Sequence, residues 1–212
     1  MWPFKDKSVW NFFDYRVCLT TVETEWFSAQ KEFDRVGLQV EKFKSIPHAL
    51  GGHQSFNISE KAIFQQFFDS GKKVLLHLED DVQFKDFGHL NEALKELPRN
   101  WDILYLGANV FGNDTTNWRK PERISKHLYR VYNAWTTHAV AYRREVIEYI
   151  LKNVPGESEC MVDGWIGENV LPNFRCFVVS PMIAWQRPHY SHIWKQVVDY
   201  NGVFAESQKR LV

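Results

Sequence analysis

Apolar positions along the chain switch repeatedly between the two-residue alternation of strands and the three-to-four spacing of helices, which predicts an α/β domain. Arg16-Val17-Cys18-Leu19-Thr20 reads as a first strand, a helical pattern runs from about Val22 to Arg35, and Leu38-Gln39-Val40-Glu41-Lys42-Phe43 reads as a second strand, a βαβ start. Asn57-Ile58-Ser59-Glu60 has the form of a capping box, and Ile58, Ala62, Ile63 and Phe67 keep helical spacing after it. Lys73 to Val82 is an apolar strand that ends in Glu79-Asp80-Asp81. Phe87, Leu90, Leu94 and Leu97 mark a helix closed by Pro98, and Asp102 to Gly107 is a further strand. Val146, Ile147, Ile150 and Leu151 repeat the helical pattern, and Cys176-Phe177-Val178-Val179 is the last strand.

No repeat, low-complexity tract or Pro/Gly-rich linker divides the 212 residues, and an apolar content of 44% suits one compact domain. Lys and Arg balance Asp and Glu at 26 each, so no strong field draws nucleic acid or anionic membrane, and an anionic ligand must be held locally. Cys18, Cys160 and Cys176 are widely separated and odd in number, which argues for reduced thiols over a disulfide framework or thiolate zinc site. The start Met1 to Lys7 lacks a secretory apolar core, and no stretch approaches the roughly 20 apolar residues of a membrane span. The expectation is a cytoplasmic protein in which the sequons at Asn57 and Asn113 are chance matches. Arg210-Leu211-Val212 directly follows a helical pattern, which allows for continuation in a longer protein.

The acid triplet is the strongest chemical signal. Adjacent carboxylates repel, and their proximity becomes favourable when a divalent cation or a ring of donors holds them. In an extended backbone Glu79 and Asp81 point to one side, so Mn²⁺ or Mg²⁺ shared with a diphosphate is one reading and an acidic turn the other.

Beyond the last strand, Met182 to Trp194 combines His189, His192, Arg187, Gln186 and aromatic residues. An imidazole there would complete a metal sphere, and Arg187 or Lys195 would pair with phosphate; hydrogen-bonded surface histidines are the alternative. Asp163, among Val162, Gly164 and Trp165, reads as a general base beside a sugar-stacking Trp165 or as the N-cap of a short helix. The polar stretch from Gly107 to Lys126, with Trp118, Arg119 and Lys120, reads as a lid or a disordered loop.

Taken in order, the first strand, Phe33-x-x-x-Gly37-Leu38-x-Val40, the Ser59 helix, Leu76-x-Leu78-Glu79-Asp80-Asp81-Val82, Trp101 to Gly107, Ala139-Val140-Ala141-Tyr142 and Val162-Asp163 resemble the lipopolysaccharide-type and collagen-type glycosyltransferases of GT-A fold. The order also resembles glycosyltransferase domains of larger chlorella-virus proteins, whose transferases build capsid glycans. The resemblance implies a single GT-A-like domain over 1–212 with a mixed, mostly parallel sheet flanked by helices, a nucleotide-binding part at about 14–110 and an acceptor side at about 111–212. It further implies transfer, with inversion, from a UDP-sugar donor to a glycan or glycoprotein acceptor. Asp81 would then hold the metal, with Glu79, His189 and His192 as further candidate ligands. Glu79 or Asp80 would face ribose or donor sugar, Thr20 and Thr21 would lie beside the base, and Ser59 and Arg187 would complete the donor site. The chain departs from the family in having Ser59-Glu60 for a Ser-His pair and Ser191-His192-Ile193 for a Ser-Asp-Ile triplet. A metal-dependent phosphoesterase and a non-catalytic sugar-binding module are the competing classes.

Overall fold

The computed structural model of the chain describes residues 7–110, 119–156 and 160–211. In chain order the elements are β1 (Tyr15–Thr20), α1 (Glu23–Val36), β2 (Glu41–Lys44), α2 (Gly52–Asp69), β3 (Val74–Glu79), β4 (Val82–Phe84), α3 (Leu90–Glu96) and β5 (Ile103–Tyr105). There follow β6 (Glu122–Arg123), β7 (Leu128–Arg130), β8 (Ala139–Arg143), α4 (Arg144–Asn153), α5 (Val162–Trp165), β9 (Cys176–Val179), β10 (Ala184–Gln186), β11 (His189–Ser191), β12 (Gln196–Val198) and α6 (Asn201–Lys209). Eight strands form one sheet in the order β2-β1-β3-β8-β5-β9-β7-β6. β8 and β7 run against the other six, so the sheet is mixed and mostly parallel, with β4–β10 and β11–β12 as separate two-stranded pairs.

Burial on both faces explains the near-continuous apolar strands. From β3, Leu75 packs with Ile63, Phe64 and Phe67 of α2, while Leu76 and Leu78 pack with Ala29 and Phe33 of α1. The same alternation turns His77 and Glu79 toward the α2 side. Helix α1 buries Ala29, Phe33 and Val36 and closes on Gly37 at φ 69, with the Leu38 amide bonded to the Phe33 carbonyl at 2.9 Å. That closure takes Leu38 out of the second strand, which starts at Glu41 rather than Leu38.

Tertiary partners also override the capping-box pattern. Helix α2 starts at Gly52, so Asn57 lies inside it, donating its side-chain amide to the Cys160 carbonyl at 2.6 Å and accepting from the Val162 amide at 3.1 Å. Asn57 thereby anchors the segment that carries Asp163, and Glu60 faces His77 instead of the helix start. The third helix is a shorter Leu90–Glu96. Of the stretch read as a lid, 111–118 lies outside the described residues, Trp118 and the Asn113 sequon included. Its flanks are held by the Asn109–Trp135 bridge and by Arg119, 3.6 Å over the Tyr132 ring. Among the described residues no helix is long and apolar enough to cross a membrane. Cys18, Cys160 and Cys176 form no disulfide, and burial raises the Cys18 and Cys176 pKa values well above normal.

One close backbone approach sets the position of everything beyond β9. The Leu106 carbonyl accepts from the amides of Ile183 and Ala184 at 2.9 and 3.1 Å, and a Cβ on Gly107 would lie 1.7 Å from the Ala184 oxygen. Only glycine lets β10 come this near to the end of β5, and β10 in turn pairs Gln186 with Val82, the residue after the acids. Gly107→Ala is expected to cost about 3 kcal/mol of unfolding free energy by overpacking. Denaturant titration checks this, and unchanged stability would show that the two backbones separate freely.

Candidate functional site

Strand β3 ends at Glu79 and β4 begins at Val82, so Asp80 and Asp81 form the turn between them. The three carboxylates face different partners. Glu79 Oε1 accepts from the Thr137 hydroxyl at 2.8 Å. Asp80 turns to the end of β1, where Oδ2 accepts from the Thr20 hydroxyl at 2.6 Å and the Thr21 amide at 3.1 Å. Asp81 is 3% exposed; its Oδ2 accepts from the Gln186 amide at 2.8 Å and lies 3.3 Å from His189 Nε2, while the buried Oδ1 has no partner. His189 Nδ1 lies 3.1 Å from the Arg187 carbonyl, which can only accept, so Nδ1 carries a proton.

Burial dominates the electrostatics. It raises the Asp81 pKa to about 6, against the pull of His189 and with a further push from Asp80. Burial, then Asp81 and Glu60, drive Glu79 well above the carboxylate range, and Asp80 is raised by burial despite its bonds from Thr20 and Thr21. Asp163 is also raised by burial, against the Gly164 amide that donates to its Oδ1 at 2.8 Å.

Two cavities meet at these acids. The first, about 420 Å³, opens at the carboxyl ends of β1 and β2 and is lined by Thr21, Lys44, Ser45, Gly52, Asp80 and His192, among others. The second, about 330 Å³, is lined by Asn109, Trp135, Thr137, Asp163, Trp194 and Tyr200, among others. Phe56, Glu79, Asp81, His189, Ser191 and Ile193 belong to both walls and form a waist. The carboxyl ends of strands in an open α/β sheet are where ligands bind.

The sequence candidates divide accordingly. Glu79, Asp80, Asp81, Thr21, His189 and His192 line the first cavity, and Thr20 lies behind Asp80. The His192 ring stands edge-on to Tyr190, 5.5 Å away, while His189 is the imidazole against Asp81. Ser59 is fully buried; it donates to the Ser55 carbonyl and accepts from the Ile46 amide, shaping the wall from behind. Arg187 binds Glu25 at 2.5 Å, and Glu25 is the member of that pair on the cavity wall. Asp163 is no N-cap: that position is Met161, and Asp163 lies inside the α5 turn with its side chain on the second cavity. Trp165 packs on the core, and the aromatic residues lining the second cavity are Trp135, Trp194, Tyr200, Phe56 and Phe204. Thr137, Trp135 and Tyr200 escaped the sequence reading, while Gln186 belongs to the Met182–Trp194 cluster that it singled out. The polar-aromatic run Trp135-Thr136-Thr137-His138 before Ala139 was the available cue.

No family model and no curated protein matches this chain. Among solved structures it is similar to the A197 protein of STIV, at 12% identity and TM-score 0.47, over 86% of this chain and 93% of that one. It is also similar to a glycosyltransferase involved in glycosylation of the major capsid of PBCV-1, at 13% identity and TM-score 0.45, over 79% and 83%. A third is a mannose-1-phosphate geranyltransferase from Thermus thermophilus, at 13% identity and TM-score 0.38, over 76% and 58%. Likeness at this level carries no information about chemistry.

His138 gives the region a pH signature. Its Nε2 donates to the Ala184 carbonyl at 3.2 Å, and burial lowers its pKa from 6.5 to about 4. Folded protein keeps this ring neutral where the unfolded chain protonates it, so its stabilisation is full above pH 6.5 and is lost as pH falls through about 4. Asp81, raised to about 6, favours the folded state on acidification and opposes that loss. A His138→Gln variant isolates the histidine: between about pH 7 and pH 4 the wild type should lose about 3 kcal/mol more than the variant. Parallel acid limbs in denaturant titrations would contradict this.

Proposed function

We propose that the protein is a divalent-cation-dependent glycosyltransferase that binds a nucleoside-diphosphate sugar, UDP-linked, in the first cavity and a glycan hydroxyl in the second. The observation that carries the reading is the waist, where Glu79 and Asp81 face both cavities and Asp81 Oδ1 is buried without a partner. An Nε2 lone pair on neutral His189 would repel the facing Asp81 carboxylate, so that edge needs a proton or a shared cation. The donor set of carboxylate oxygens and one imidazole suits Mn²⁺ or Mg²⁺. Among the described residues no three His, Cys, Asp or Glu side chains converge as a metal cage. That fits an ion which keeps several waters and takes further oxygens from a diphosphate.

When bound, the cation stabilises negative charge on the departing diphosphate as a Lewis acid. The protein does the rest by placement. Asp80, fixed by Thr20 and Thr21, faces the first cavity, where ribose or donor sugar lies within its reach. Asp163 faces the second, and its raised pKa suits a base that takes the acceptor proton as the hydroxyl attacks the anomeric carbon with inversion. Trp135 and Trp194 offer stacking faces to the acceptor ring.

Calorimetry with UDP tests the donor half. Mn²⁺ should strengthen UDP binding, and Asp81→Ala should remove at least about tenfold of that affinity, roughly 1.4 kcal/mol. Metal-independent binding, or binding undiminished in Asp81→Ala, would sink the reading. For the acceptor half, Asp163→Asn should lower turnover by about 10²-fold or more while leaving UDP affinity intact; unchanged turnover removes Asp163 from the chemistry.

A further inference from the structure

A polar path runs from the waist into the core. His77 Nε2 lies 2.7 Å from Glu60 Oε1, with both side chains fully buried in the apolar layer between β3 and α2. Glu60 Oε2 has no hydrogen-bond partner, and the Nε2–Oε1 contact is close in distance but outside hydrogen-bond angles. On the other edge of the ring, His77 Nδ1 donates to the Thr137 carbonyl at 3.0 Å.

Thr137 belongs to a turn that serves both carboxylates of the proposed chemistry. Its hydroxyl donates to Glu79 Oε1 at 2.8 Å, and the backbone amide of Thr136 is near enough to Asp163 to hold its carboxyl pKa down against burial. Thr136 has φ 79, a left-handed backbone that a β-branched residue rarely adopts. Such a conformation persists only where the surroundings over-determine it, and it gathers at functional sites. Here the buried contact on the turn is the His77–Thr137 bond, backed by Glu60. An ion pair in this layer adds little net stability, since apolar side chains of similar volume would fill the space as well, while removing one partner strands the other.

We propose that Glu60 and His77 are positioning residues that fix the Thr136–Thr137 turn and, through it, set Glu79 at the waist and Asp163 on the second cavity. Neither touches substrate. The role rests on the proposed glycosyl transfer only for its consequence in catalysis; the mechanical coupling from α2 to Asp163 stands or falls alone.

The coupling is tested in ligand-free protein by amide NMR. Glu60→Gln keeps the shape and removes the charge, and it should shift the resonances of Gly164, whose amide donates to Asp163, and of Thr136, whose amide lies near the same carboxylate. Unmoved resonances in a folded variant overturn the proposal. The functional consequence is read by a double-mutant cycle on Mn²⁺-dependent UDP affinity with Thr137→Val, which removes the hydroxyl at constant shape. Each single variant should weaken binding about fivefold, and the double variant no further, because both act through one hydroxyl. Thr137→Ser should restore affinity. Additive losses, the signature of separate structural damage, contradict the proposal. If Glu60→Gln fails to fold, His77→Gln takes its place in both measurements with the same expected and contrary outcomes. Absence of UDP binding by the wild type would overturn the proposed function, while the NMR shifts would still decide the coupling.

Discussion

The organising constraint is the burial of like charge at the end of β3. Asp81 is nearly removed from water with Glu79 half-buried beside it, their pKa values rise, and one Asp81 oxygen stays unpaired. A fold accepts such a cost where a cation or a proton resolves it during function. The surrounding architecture determines which groups can reach that point.

Three devices bring those groups in from distant parts of the chain. The bare Cα of Gly107 admits β10, whose Gln186 and nearby His189 close on Asp81. Asn57, in the middle of α2, ties down the 160–162 segment and so places Asp163. The strained Thr136–Thr137 turn reaches Glu79 with a hydroxyl and Asp163 with an amide. Each is a backbone or buried polar contact, which packed surroundings hold more tightly than exposed side-chain pairs.

The α/β class, the acid-terminated β3 and the C-terminal imidazole cluster were legible from the chain because each is a local pattern: alternation, charge clustering and composition. Asn57 and Glu60 misled for a physical reason. Their spacing matches a cap, but both are buried, and contacts with Cys160, Val162 and His77 outweigh a local helix-start signal. Trp165 drew notice by its neighbour Asp163, although helical geometry turns the two side chains to different faces. Tyr200 carried no local signal, because only tertiary folding brings it to the cavity that Trp135 lines, across 65 positions of sequence. Arg187 illustrates the limit for charge: a cation among aromatics reads as an anion site until its partner, Glu25 from α1, is seen.

The proposed chemistry requires the waist to hold one divalent ion that both Asp81 and a diphosphate share. Electron paramagnetic resonance of Mn²⁺ reads this directly, because the free-ion signal falls on binding. Wild-type protein with UDP should remove the signal at one Mn²⁺ per chain, omitting UDP should weaken the loss, and Asp81→Asn should abolish it. Equal loss with wild type and Asp81→Asn, or a loss indifferent to UDP, would contradict a shared ion.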